Sequence, residues 1–264
     1  MRALRFIALV SILGSALAVS AAAQTTATAP QPTAQRNPQA LSLLSQSLAA
    51  MTKGTPVQDI KLQAQVTRTA GSDTDTGPAV LEAAAYDKSN SNFAFTSGPR
   101  AEIRNAGAGS WSAADAQNHA VALHNSWTAA AWFAPALIVQ SWIQDSSFSL
   151  AYIGLENRDG AQVQHIHGSR NVSADAVIAA LSATDLYLDS QSLLPSALVF
   201  NTHPDDDLGV NLPVQVTFES YQAFSGLQAP ARIQQFLQNS LVLDVSVTAT
   251  NANNGLAASE FLVP

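Results

Sequence analysis

Two histidines, His165 and His167, stand two residues apart in a segment with strand-like alternation. Side chains two apart on a strand leave the same face, so the two imidazoles can converge on a metal ion. The run His203-Pro204-Asp205-Asp206-Asp207 offers oxygen ligands as well, and a metal-dependent hydrolase built on the two features is the third and least favoured reading. A proline beside three aspartates ahead of Gly209 also has the make-up of a solvated turn between strands. His119 and His124 are five apart, on different faces of any helix, and receive no role. No serine sits in a Gly-x-Ser-x-Gly elbow, and Gly107-Ala108-Gly109 lacks the flanking pattern of a phosphate loop. No catalytic residue is therefore assigned, no cofactor is expected, and His165 and His167 stand as the metal candidates.

The composition narrows the setting in which any such residues work. Of the 264 residues 47% are apolar and 12% charged, and the net charge is −7. That balance argues against nucleic acid as a partner, because phosphate binding needs concentrated positive charge. Zero cysteines exclude a disulfide framework, thiolate metal sites and a cysteine nucleophile. Arg2 and Arg5 precede an apolar run over residues 6–19 that ends in small residues, the order of a secretory signal. Cleavage is expected near Ala23, which leaves no stable transmembrane segment and gives a periplasmic location. Residues 24–37 are rich in Thr, Ala, Gln and Pro without apolar periodicity, and read as a disordered linker.

The elements that would position a site begin at Pro38. Leu41, Leu44, Leu48 and Met51 recur at steps of three and four, which predicts a helix capped by Asn37 and stopped by Gly54. Ile60, Leu62, Ala64 and Val66 then alternate with polar residues as in a strand with one wet face. Residues 71–78 have a turn composition, and 79–86 with 92–96 can return as strands. Weaker strand signals cover 101–105 and 109–112. Residues 113–144 hold three of the four tryptophans and little charge, and read as two helices broken near Pro135. From residue 148 onward strand signals dominate: a hairpin over 148–152 and 161–167, a short helical turn at 175–181, a strand pair at 186–189 and 196–201, and a strand around 214–218. The last hairpin, 232–237 with 241–249, turns at Gln238-Asn239. Such alternation predicts a long antiparallel sheet with one apolar face in need of a cover.

Three stretches carry a resemblance. They are Tyr152-Ile153-Gly154 followed by Asp159-Gly160-Ala161-Gln162-Val163; Leu186-Tyr187-Leu188-Asp189 followed by Leu194-Pro195; and the close, Tyr221 to Gly226, Pro230 to Asn251 and Glu260-Phe261-Leu262-Val263-Pro264. In this order, behind an export signal and an amphipathic helix, the chain resembles the LolA/LolB-like superfamily of half-barrel periplasmic proteins, which includes the outer-membrane lipoprotein carriers. The likeness covers residues 148–264 well and 38–104 loosely, and Arg68 is the candidate for the family's basic residue on its second strand. The resemblance implies an α+β fold with a strongly curved antiparallel sheet and helices over its concave face. It also implies a single domain over 38–264 with a helical insertion at about 113–144.

The resemblance further implies a noncatalytic carrier or sensor of a hydrophobic ligand, with a lipid or an acylated protein as the expected partner and an envelope protein as a further one. The apolar lining would be Leu62 and Val66, Phe93 and Phe95, Trp127, Trp132 and Phe133 in the insertion, Leu150 and Tyr152, Val216 and Phe218, and Leu243 and Val245. An acyl chain burying a few hundred Å² there would gain several kcal/mol at about 25 cal/mol per Å². The same residues could instead fill the hollow themselves, which would make the protein a structural or protein-interaction module.

Overall fold

A computed structural model describes residues 34–171 and 175–264, so the export signal and most of the linker expected before Pro38 lie outside the described residues. The chain starts with α1 (Pro38–Thr52) and β1 (Ile60–Ala70). Next come β2 (Asp73–Ala85), β3 (Lys88–Phe95), β4 (Gly98–Asn105), β5 (Ala108–Ser112) and the short β6 (Asn118–Ala120). A 3₁₀ turn (Leu123–Trp127) leads to α2 (Pro135–Gln144), followed by β7 (Phe148–Arg158) and β8 (Ala161–Arg170). After α3 (Ala176–Leu181) the chain completes the sheet with β9 (Thr184–Asp189), β10 (Pro195–Thr202), β11 (Leu212–Phe224), β12 (Leu227–Leu237) and β13 (Ser240–Ala252).

The thirteen strands form one sheet in the order β6-β5-β4-β3-β2-β1-β13-β12-β11-β10-β9-β8-β7. Every neighbouring pair is antiparallel, and the join of β1 to β13 unites two meanders into an unclosed half-barrel. Alternation predicted the antiparallel sheet, and the curved α+β architecture is the one that the resemblance implied. Tight turns serve the strands: Asp159 and Gly160 between β7 and β8, and Gln238 and Asn239 between β12 and β13, all have positive φ. That geometry matches the twist of a two-residue hairpin.

Helix α1 begins as its sequence indicates. The Asn37 side chain accepts from the backbone amides of Gln39 and Ala40 at 2.9 and 3.0 Å, and Pro38 occupies the first turn. Its buried face, including Leu44 and Met51, packs on α2 and the sheet. Helix α2 is buried along most of its length, from Pro135 through Val139 and again at Trp142. Its C-terminal carbonyls are met by the Arg36 guanidinium, which donates to Trp142 at 2.6 Å, Ile143 at 2.8 Å and Asp145 at 3.0 Å. A cation at that end also complements the helix dipole.

Three expectations are corrected. Residues 113–144 do not form two helices broken at Pro135: they hold a three-residue strand, a 3₁₀ turn and one helix that starts at Pro135. Proline is tolerated in a first turn because the amide it lacks would have had no partner there. The turn expected over 71–78 shrinks to Gly71 and Ser72, and β2 starts at Asp73. Its Thr and Asp residues form a hairpin tip that extends past the core, where both faces are wet. Finally, the linker boundary at 37 is too late. Leu150 donates to the Gln35 carbonyl at 2.7 Å and accepts from the Asn37 amide at 2.9 Å, so this stretch covers the edge of β7.

A candidate ligand cavity

The row Leu62, Ala64 and Val66 on β1 faces inward, each side chain at most 3% exposed. The same alternation places Leu186 and Leu188 of β9, Val216 and Phe218 of β11 and Val245 of β13 on the inner face. Helices α1 and α2 lie across one end of this concavity and fill it. Trp142 is fully buried there, with its ring against Gly168 of β8, where a Cβ would come within 2.8 Å of the indole. Leu44, Met51, Phe133 and Phe148 complete that packed end.

The other end is not filled. A cavity of about 400 Å³ lies between the two arms of the sheet, within the about 300–1,000 Å³ typical of small-molecule sites. Phe200, Val214, Leu237 and Leu243 form one wall; Phe93 and Phe95, stacked at 5.4 Å, belong to the other, together with Arg100, Glu102 and Arg104 of β4. Arg68 lines it from β1, as the next member of the row that begins at Leu62. Trp111, 38% exposed and stacked at 4.4 Å on His119, stands at its margin.

The insertion spans the cavity between the arms. Asn125 donates from Nδ2 to the His203 carbonyl at 2.8 Å, and its Oδ1 accepts from the His203 amide and the Thr202 hydroxyl, both at 2.9 Å. On the opposite arm the Val121 amide donates to the Gly109 carbonyl at 2.9 Å, and Arg104 donates to the Thr128 hydroxyl at 2.7 Å. Thr128, Ala129 and Trp132 thereby line the cavity. His203 is buried and its ring contacts the Val210 carbonyl at 3.1 Å, so it anchors this loop. The aspartates that follow it are exposed, as a solvated turn requires.

Among the lining residues named from the sequence, Phe93, Phe95, Trp132 and Leu243 border the cavity. Leu62, Val66, Phe133, Leu150, Val216, Phe218 and Val245 are buried in the core. Tyr152 is half-buried on β7 and donates to Gln164 at 2.7 Å. Trp127 lies near the Arg170 guanidinium, 5.9 Å from its ring. Arg100, Glu102, Arg104, Trp111 and Phe200 went unassigned in the sequence. Their signal was available in part, since Arg100, Glu102 and Arg104 alternate and mark one charged strand face.

His165 and His167 share the sheet face opposite Ile166, away from the core. Both approach the same oxygen of Asp185, at 2.9 and 2.8 Å, and His165 also contacts Glu156 at 2.8 Å. The hydrogen bond to Asp185 raises the pKa of His167. Burial alone would raise that of Asp185, but the bonds from His167 and His165 prevail and lower it. Both ring nitrogens of His165 and Nδ1 of His167 are thus engaged with carboxylates. Among the described residues no group of three or more His, Cys, Asp or Glu side chains is disposed to hold a metal.

No family model and no curated protein matches the chain. Solved structures do. A crystal structure of an outer membrane lipoprotein-sorting protein domain from Vibrio parahaemolyticus superposes with a TM-score of 0.53 at 13% identity, covering 84% of this chain and 96% of that one. The fold is LolA-like. The LolA superfamily protein NE2245 from Nitrosomonas europaea is similar to the same degree, with a TM-score of 0.53, 12% identity and coverage of 84% and 97%. The LolA-like resemblance therefore holds for the fold.

Proposed function

We propose that this protein is a noncatalytic carrier or sensor, exported to the periplasm, that holds the hydrophobic part of a lipid or an acylated protein in the cavity beneath the insertion. The observation that carries this reading is the unfilled volume of about 400 Å³ on an apolar concave face whose other end is packed solid. A core that only needed stabilising would close such a space, since empty apolar volume forfeits dispersion contacts. The LolA-like fold supports the same reading, because the Vibrio parahaemolyticus structure that shares it carries the name of an outer membrane lipoprotein-sorting protein domain. In it the export signal is cleaved near Ala23, Trp132 and the rest of the insertion act as a lid, and the histidine pair lies outside the working face.

The test uses the neutral fluorophore N-phenyl-1-naphthylamine, together with native mass spectrometry of protein purified from its own host. The fluorophore is expected to bind with blue-shifted emission, and Leu243→Trp, which fills the cavity from its apolar wall, to weaken it about tenfold or more. A co-purifying lipid mass gives independent support. Absence of both fluorophore binding and added mass from correctly folded protein overturns the reading in favour of a self-filled interaction module.

A further inference from the structure

The cavity is asymmetric in charge. Its wall from β10 to β13 is mostly hydrocarbon, whereas β1 and β4 bring three arginines, Arg68, Arg100 and Arg104, against one carboxylate, Glu102. This is unexpected in a chain of net charge −7 with twelve lysines and arginines in all. Glu102 is committed to Arg104, 2.7 Å away, and Arg104 also holds Thr128. Asp75, across the β1–β2 register from Arg68, turns instead to Thr96 at 2.6 Å and to Ser97. Among the described residues Arg68 and Arg100 have neither an ion pair nor a side-chain hydrogen bond, and Nε of Arg100 is buried without a partner. A desolvated guanidinium donor is unfavourable until an acceptor reaches it, and carboxylate and phosphate oxygens fit its fork best.

We propose that the cavity takes an amphiphile with a hydrocarbon chain and an anionic head, a carboxylate or a phosphate monoester. Arg68 and Arg100 hold the head, and the chain lies against Phe200, Val214, Leu237 and Leu243. This rests on the carrier reading above and specifies its ligand. The volume is near the lower end for small-molecule sites, which suits one chain rather than several.

The experiment displaces bound N-phenyl-1-naphthylamine with four compounds of equal chain length, each kept below its critical micelle concentration: myristate, tetradecyl phosphate, tetradecanol and tetradecyltrimethylammonium. At least one anionic compound is expected to displace the fluorophore at roughly tenfold lower concentration than tetradecanol, with the cationic compound weakest. Whichever anion is stronger identifies the source as a fatty acid or a phosphate lipid. Arg68→Gln and Arg100→Gln, singly and together, are expected to remove most of that preference while tetradecanol stays within about twofold. Equal displacement by all four compounds overturns the head-group assignment and leaves the carrier reading standing. Failure of the fluorophore to bind, together with the absence of a co-purifying lipid mass, overturns the carrier reading. Should the double variant not fold, the single variants and the head-group series on the native protein decide.

Discussion

Asp185 sits between two imidazoles that the sequence offered as metal ligands, and the chemistry of that contact is protonic. His167 has its pKa raised above 6.5 by its bond to Asp185, so the imidazolium is favoured in the folded chain. Its contribution is fully present below 6.5 and is lost as pH rises through the folded value. Asp185 has its pKa lowered below 3.8, so its contribution is present above 3.8 and is lost as pH falls through the folded value. The stability difference between the native protein and His167→Gln is therefore expected to be greatest between those limits and to fade on the alkaline side. Urea denaturation at stepped pH checks this. The effect should be small, below about 1 kcal/mol, because the His167 side chain is 37% exposed and solvent screens it. A difference that grows above neutral pH would contradict the assignment. The spacing of the two histidines announced a shared face correctly; the carboxylates they meet come from β7 and β9 and depend on strand pairing.

Helices and strands differ in how much of their placement a local pattern can reveal. Helix α1 was legible because its cap, its first-turn proline and its apolar spacing all lie within the element. Helix α2 is only half legible: Pro135 marks a helix boundary, but whether a proline starts or breaks a helix depends on which neighbouring residues are helical. Its seat on the sheet could not be read at all, because it depends on Gly168, which is remote in sequence. The added methyl of Gly168→Ala meets Trp142 ring carbons at 2.8 Å, and the indole is fully buried and has nowhere to shift. A loss of about 1–3 kcal/mol is expected from this overpacking, measurable by chemical denaturation, and a neutral result would mean that α2 is free to move outward. Likewise the row on β1 was readable up to Val66, but the meaning of Arg68 at its end depended on which part of the concavity the helices leave uncovered.

For the molecule as a whole, the sequence posed two alternatives, an open hollow or a self-filled core, and the structure divides them between the two ends of one sheet. Alternation fixes which residues face inward, whereas the allocation of space depends on where two helices and an insertion come to rest. An unclosed sheet of thirteen strands has two rims: residues 35–37 cover part of one, and the short β6 forms the other. Between the rims, Asn125 fastens the insertion to the end of β10, and Arg104 with Gly109 fastens it to β4 and β5. Asn125→Ala leaves the buried His203 carbonyl and amide without that partner, at an expected loss of about 1–3 kcal/mol. Amide hydrogen exchange should accelerate over residues 121–133 more than in β1 or β13, and a uniform acceleration would show that the insertion has no independent attachment.

Those attachments make a topologically open ribbon behave as a buckled ring. Widening the gap between the arms therefore requires a hydrogen-bonded attachment to break, beyond flexing of the strands. The Arg104 attachment stands on the same wall as Arg68 and Arg100, so the charge that lines the cavity and one of the fastenings that cross it share a single face.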